Sequence, residues 1–186
     1  MLIDHSKEKL YNAIIYFLKN TRYCGKTKLF KLLYYLDFLH FRETGKSVTN
    51  LDYYAYPFGP YPTDLGNEIF HPSEESRPYI SIEKKEDNGD FTPIKTKKKF
   101  DDLYFSKREL RLLKDIAFIF KEVEAKKIVE VSHLPNEPWD KTIKTKGERE
   151  KIDYCLAVDN TSKSLQIEEI IERLREREAI KLAFNE

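Results

Sequence analysis

Apolar residues recur every three or four positions in several parts of the chain, which is the spacing of one face of an α-helix. This pattern predicts a first helix over residues 7–20, with Ser6 as its N-cap, and a second helix over residues 26–43. The second helix is apolar around most of its circumference, so we expect it at the centre of the fold. Gly45 follows it and suits the left-handed conformation that ends many helices.

The later predicted helices are shorter or more polar. Ser106 and Glu109 have the spacing of a capping box, which predicts that a helix begins there. The other predicted helices, in chain order, cover residues 63–69, 126–134, 148–158 and 161–183. Residues 136–147 contain the single tryptophan and are predicted to be irregular.

Two segments carry strand and turn signals instead. Residues 51–62 alternate aromatic residues and contain three prolines, which predicts a short strand running into a proline-stiffened loop. Residues 73–105 fit an inserted, exposed hairpin, because short apolar stretches flank a turn signal at residues 86–90. The prediction is a mainly α (α+β) fold: a single-domain helical bundle over residues 1–186, with about five to seven helices, a small β element in the middle and a C-terminal helix at residues 161–186.

Charge and composition narrow the class of protein. The 186 residues include 33 Lys and Arg against 32 Asp and Glu, so the net charge is +1. This balance argues against a chain that coats nucleic acid through its overall charge, but it leaves a local basic face open. Aromatic residues make up 13% of the chain, which indicates that it folds. The sequence contains neither a membrane-spanning apolar run nor a secretion signal, so we predict a cytoplasmic protein without a membrane partner.

Few residues form a pattern that is typical of a catalytic, metal-binding or cofactor-binding site. Asp37 and His40 lie on neighbouring turns of the second helix, so one alternative is a small hydrolase that uses Asp37, His40 and His133. The competing interpretation is that these side chains make structural hydrogen bonds, and no nucleophile motif accompanies them. The histidines and glycines have no metal-ligand or phosphate-loop spacing. We therefore predict no catalytic residue, no metal and no cofactor.

A basic run begins at Lys95 and ends at Lys99, and Lys84 and Lys85 precede it in the predicted hairpin. These lysines could make one face of the hairpin positive, which leaves a nucleic-acid-binding protein as a second alternative. Lysines on an exposed strand also prevent unwanted pairing between sheet edges, and this structural role is the commoner one. Nucleic acid is therefore not the predicted partner.

Aromatic residues are concentrated between residues 34 and 61, in numbers that one side of a small core cannot bury. Tyrosine suits protein interfaces because it offers a large contact area with few rotatable bonds. Most of these rings could instead pack between the second helix and the strand. The candidate partner-binding residues, including the tryptophan downstream, are Tyr53, Tyr54, Tyr56, Phe58, Tyr61 and Trp139.

Three segments carry a family resemblance. They read KTKLFKLLYYLDFLHFRETGKSV, then YAYPFGPYPTDL and, far downstream, VSHLPNEPWDKT. In this order and spacing they resemble the SocA-like Panacea antitoxin family, first described as phage-associated proteins. The residues that match the family pattern are Lys28, Leu29, Lys31, Leu32, Leu33, Tyr34, Tyr35, His40, Gly45, Tyr56, Phe58, Gly59, Pro60, Ser132, His133, Pro138 and Trp139.

The resemblance covers about residues 7–158 and implies an antitoxin that binds a cognate toxin encoded beside it and blocks the toxin's action. Some members of the family also act as adaptors that hand the toxin to a cellular protease. The family pairs with unrelated toxins, so the resemblance does not name the toxin, and the family motif contains no catalytic residue. Two departures from the pattern are the longer, more basic insertion at residues 73–105 and the Lys46-Ser47-Val48 sequence, where proline and leucine are usual.

Overall fold

The computed structural model describes residues 5–82 and 93–184. These residues form seven α-helices, one 3₁₀ helix at Tyr154–Ala157 and two small antiparallel sheets, which confirms the predicted mainly α fold. The α-helices are α1 (Ser6–Asn20), α2 (Lys26–Thr44), α3 (Thr63–Phe70), α4 (Lys107–Ile119), α5 (Ala125–Ser132), α6 (Pro138–Thr145) and α7 (Ile167–Phe184). None of the helices among these residues is both long and apolar enough to cross a membrane.

Helix α2 lies at the centre of the fold, as its all-round apolar pattern predicts. It packs against α1, α4 and α5 and against the first sheet. Leu29, Leu32, Leu33 and Leu36 are fully buried along its length. The helix ends at Gly45, whose φ of 66° is left-handed and whose N–H donates to the carbonyl of Phe41 at 2.6 Å.

The first sheet is a hairpin of strands β1 (Tyr54–Tyr56) and β2 (Gly59–Tyr61). Tyr54 pairs with Tyr61 and Tyr56 pairs with Gly59, so only two residues form the tip. The predicted strand is therefore present, but the predicted loop after it is a second strand. Its proline is tolerated because β2 lies at the edge of a two-stranded sheet.

The second sheet pairs β3 (Ser81–Ile82) with β4 (Ile94–Lys95) in antiparallel fashion. This pairing agrees with the hairpin predicted within residues 73–105. The turn signal at residues 86–90 lies outside the described residues, as do Lys84 and Lys85.

Two predictions about the later part of the chain are wrong. Residues 136–147 are not irregular, because Pro138 occupies the first turn of α6, where its fixed φ favours a helix and its missing N–H is not needed. Residues 148–158 are not one helix, because residues 149–152 run beside β1 instead. The backbone N–H of Ala55 donates to Glu150 at 2.9 Å, and the N–H of Ile152 donates to Tyr53 at 2.8 Å.

Helices α4 and α7 differ in how they begin and in what holds them in place. Helix α4 begins with the predicted capping box, in which Ser106 and Glu109 each accept from the other's backbone N–H. Helix α7 begins later than predicted and packs through the fully buried Ile170. Its guanidinium groups reach the end of α2, where Arg173 donates to the carbonyl of Thr44 at 3.1 Å and Arg177 donates to Gly45.

Candidate partner-binding site

Three distant stretches of sequence meet around Gly59, at the start of β2. A methyl group at Gly59 would lie 2.7 Å from Oγ of Ser132, 2.8 Å from Cε of Lys31 and 3.0 Å from Nε2 of His133. Gly59 also has a φ of +90°, which side-chain-bearing residues rarely adopt. The hairpin can therefore pack this closely against α2 and the end of α5 only because this position is a glycine.

Lys31 ties the central helix to the hairpin. Its ammonium group is buried and donates to the carbonyl of Pro60 at 2.8 Å. Burial lowers the pKa of Lys31 to about 7, because the charged form loses its hydration. Ser132 lies on the other side of Gly59, and its hydroxyl donates to the carbonyl of Val129 at 2.8 Å.

Trp139 contacts strand β1 of the same hairpin. Its indole N–H donates to the carbonyl of Tyr56 at 2.9 Å. The ring of His133 stacks on it, with 3.9 Å between the ring centroids and 14° between the planes. Burial lowers the pKa of His133, and the nearby charge of Lys31 adds to the effect. His133 and Trp139 therefore form a stacked pair that supports strand β1.

The hairpin presents aromatic surface to solvent. Phe58, at its tip, is 76% exposed, and Leu134, beside His133, is 50% exposed. Tyr54, Tyr56, Tyr61 and Trp139 are each partly exposed. We call this group the hairpin surface: Tyr54, Tyr56, Phe58, Tyr61, Leu134 and Trp139.

Tyr53 does not belong to the hairpin surface, although its sequence position suggested a partner contact. It is fully buried, and its hydroxyl donates to the carboxylate of Asp37 at 2.8 Å. The alternation of the strand explains this placement, because Tyr53 points to the opposite side from Tyr54. Leu134 adds an exposed apolar side chain that the sequence does not predict, since an isolated leucine before a proline has no distinguishing pattern.

The other family-motif residues pack in or against the core or lie at helix ends. Leu32 and Leu33 are core residues, and Lys28 donates to the carbonyl of Arg22 at 2.6 Å. Tyr34 is buried among aromatic rings, and Tyr35 stacks on Phe120. As described above, Gly45 and Pro138 mark the end of α2 and the start of α6.

The three residues of the hydrolase alternative have separate partners. Asp37 accepts hydrogen bonds from Val48, Thr49 and Tyr53. Nδ1 of His40 donates to the carbonyl of Lys46 at 2.6 Å, and burial lowers the pKa of His40. His133 lies beside Lys31, and His40 is nine residues further along α2, about 13 Å along the helix axis. The two histidines therefore do not meet in one cleft.

A small cavity lies beside α6, the helix that carries Trp139. It has a volume of about 170 Å³ and lies between α2, the start of α6 and the 3₁₀ helix. Tyr35, Arg42 and Glu137 line it. Within the described chain, the Tyr35 hydroxyl and Nε of Arg42 are buried without hydrogen-bond partners, and burial raises the pKa of Glu137. The cavity therefore offers polar groups that an entering side chain could satisfy.

Metal chemistry has no visible basis in residues 5–82 and 93–184. Within these ranges, no three His, Cys, Asp or Glu side chains are grouped so that they could hold a metal ion. The two cysteines are unpaired and far apart in sequence, and burial raises the pKa of both thiols to about 11. Neither thiol is therefore an activated nucleophile at neutral pH.

The fold and the site define a helical domain that supports an aromatic hairpin on its central helix. A model of the family described as antitoxin SocA-like, Panacea domain matches residues 29–140, which is more than half of the chain. The chain therefore belongs to the SocA-like Panacea antitoxin family. Searches of curated proteins and of solved structures each found no match.

Proposed function

We propose that this protein is an antitoxin that neutralises a cognate toxin by direct protein–protein contact through the hairpin surface. The observation that carries the proposal is the position of Phe58, an exposed aromatic residue at the tip of a hairpin that the family-motif residues hold in place. Membership of an antitoxin family supplies the class of partner.

The hairpin has the properties of a preformed binding element. Lys31 holds the carbonyl of Pro60, and Trp139 holds the carbonyl of Tyr56. Because both strands are fixed before binding, little conformational entropy is lost when a partner docks. Exposed aromatic residues at the centre of an interface contribute a large part of many binding free energies.

Neutralisation then requires that the toxin's functional surface is covered. A stable interface of this kind buries roughly 1,200 to 2,000 Å² in total, and a permanent complex buries more. The hairpin surface would be its apolar centre, and the cavity lined by Arg42 and Glu137 would receive a polar side chain at its edge. In this proposal residues 1–186 act as one domain in the cytoplasm.

Co-expression with the toxin tests the proposal. The adjacent open reading frame is expressed from an inducible promoter, with and without this protein, and growth is followed. We expect growth arrest with the frame alone and normal growth when both proteins are present. A harmless neighbouring frame, or growth arrest that persists in the presence of this protein, would contradict the proposal.

A hairpin variant locates the contact in the same assay. Phe58→Ala removes an exposed ring and should reduce neutralisation without unfolding the chain. The matched control is Leu103→Ala, which truncates a side chain that is 73% exposed in the loop before α4. Circular dichroism of both variants checks that the fold is retained.

Delivery of the toxin to a protease is a further step of the proposed function. We expect the half-life of the toxin to shorten when this protein is present. A pulse-chase measurement distinguishes this step from neutralisation by binding alone, for which the toxin's half-life stays the same or increases.

A further inference from the structure

A basic groove lies between the end of α1 and the second half of α4. Its volume is about 510 Å³. Four of its nine lining residues are cationic and none is acidic; the nine are Tyr16, Lys19, Asn20, Thr21, Arg22, Lys114, Ala117, Phe118 and Lys121. This groove is separate from the hairpin surface, and the proposed antitoxin function does not use it.

Most of the groove's charge is not neutralised by the described part of the chain. Lys114 and Lys121 form no ion pair there, and Arg22 pairs with the exposed Glu122 at 3.2 Å. Helices α1 and α4 both end at the groove, and each helix end contributes about half a negative charge. Four positive charges exceed these contributions, so the groove keeps a positive potential.

The basic run of the sequence adjoins the groove. The ammonium group of Lys19 donates to the backbone carbonyl of Lys98, which places the run next to the end of α1. Lys97 and Lys99 flank this contact in sequence. The positive surface therefore continues from α4 across α1 to the residues that follow β4.

An exposed aromatic ring distinguishes this groove from an ordinary solvated basic face. Phe118 lines it and is 82% exposed, and the partly buried ring of Tyr16 lines the same groove. A cationic groove with aromatic rings is the arrangement that binds single-stranded nucleic acid, since phosphates pair with the cations and bases stack on the rings. Duplex bases already stack on one another and cannot cover Phe118 in this way.

We propose that the groove between α1 and α4 binds single-stranded nucleic acid, with the backbone along Lys19, Arg22, Lys114 and Lys121 and a base on Phe118. The interaction is independent of sequence, because cations and ring faces recognise every nucleotide. An acidic polypeptide carries negative charge as nucleic acid does, but its binding to the groove would not depend on Phe118.

Fluorescence anisotropy with labelled 12-nucleotide oligo(U) and oligo(dT) tests the proposal on the full chain. With four phosphate contacts, we expect the affinity to fall about 50-fold between 50 and 200 mM salt. Lys114→Glu with Lys121→Glu should weaken binding at least tenfold and reduce the salt dependence. The control is Arg175→Glu with Lys181→Glu on the exposed face of α7, which changes the net charge equally and should leave binding unchanged.

Phe118→Ala separates stacking from charge. We expect binding about fivefold or more weaker, with an unchanged salt dependence, because only base stacking is removed. Three results would each overturn the proposal. The first is no binding at 20 mM salt, and the second is equal weakening by the two charge-reversal pairs. The third is an unchanged affinity of Phe118→Ala together with tighter binding of polyglutamate, which would assign the groove to an acidic protein.

Discussion

Asp37 is a buried carboxylate that shapes the chain after α2. Its oxygens accept hydrogen bonds from the backbone N–H groups of Val48 and Thr49, at 2.8 and 2.7 Å, and from the Thr49 and Tyr53 hydroxyls. These bonds hold the segment that leads into β1. Complete burial nevertheless raises the pKa of Asp37 to about 6, because desolvation outweighs the hydrogen bonds.

We expect Asp37→Asn to change the pH dependence of folding. Since the folded pKa lies above the unfolded one, the folded wild type binds more protons between about pH 4 and pH 6. Its advantage in stability over the variant should therefore fall by about 2 kcal/mol as the pH rises from 4 to 6. In the variant, the new side-chain amide also faces hydrogen-bond donors, which lowers the free energy of unfolding by about 1–3 kcal/mol.

Urea unfolding of wild type and Asp37→Asn at pH 4, 5 and 6 measures this effect. Asp64→Asn, at the exposed start of α3, removes an equal charge and serves as the control. A constant difference in stability between wild type and Asp37→Asn over this range would contradict the raised pKa.

At the scale of elements, the hairpin β1–β2 depends on a close approach at Gly59. The neighbours of Gly59 come from α2 and α5, so one glycine sets the distance between three elements. Gly147 provides a useful comparison, because it has a φ of +100° and nothing lies within 4 Å of its virtual methyl group. The two positions share a positive φ but differ in crowding.

Gly59→Ala should destabilise the protein by about 2 kcal/mol more than Gly147→Ala. Both substitutions force alanine into a positive φ, but only the first also crowds Ser132, Lys31 and His133. Chemical denaturation of the two variants gives the comparison directly. Equal losses would mean that the hairpin does not depend on close packing at this position.

Two arginines should add to the packing of Ile170 in holding helix α7. Arg173→Met with Arg177→Met removes donors to the carbonyl groups at the end of α2, so we expect a loss of about 2 kcal/mol and faster hydrogen exchange along α7. Arg175→Met, on the exposed face of α7, is the control and should leave exchange unchanged. Unaltered α7 exchange in the double variant would rule out this docking.

Elements stabilised by local interactions can be predicted from the sequence, whereas elements stabilised by distant contacts cannot. Local signals specified α2, α4 and the end at Gly45, because apolar periodicity, a capping box and a C-cap glycine act within a few residues. Residues 149–152 were mispredicted because their conformation comes from pairing with β1 across the fold. Strand β2 is not predicted, because its proline and the prolines on either side of it are typical of a loop until the partner strand is present.

At the scale of the whole molecule, the family motif describes a meeting point in space. Lys31, Gly59, Ser132, His133 and Trp139 are spread over more than 100 residues and lie around one hairpin. The motif could be read from the sequence, but its convergence could not, because it depends on how α5 packs against α2 and how α6 packs against β1. The exposure of Phe58 and the burial of Tyr53 likewise follow from the register of the hairpin.

The most direct test of the central claim is a calorimetric titration of the purified toxin into this protein and its variants. We expect wild type to bind, Phe58→Ala to bind at least tenfold more weakly, and Leu103→Ala to bind like wild type. A tenfold change corresponds to about 1.4 kcal/mol, which is an ordinary contribution for an exposed anchor residue. No binding by wild type, or equal affinities for Phe58→Ala and Leu103→Ala, would contradict a toxin contact centred on the hairpin surface.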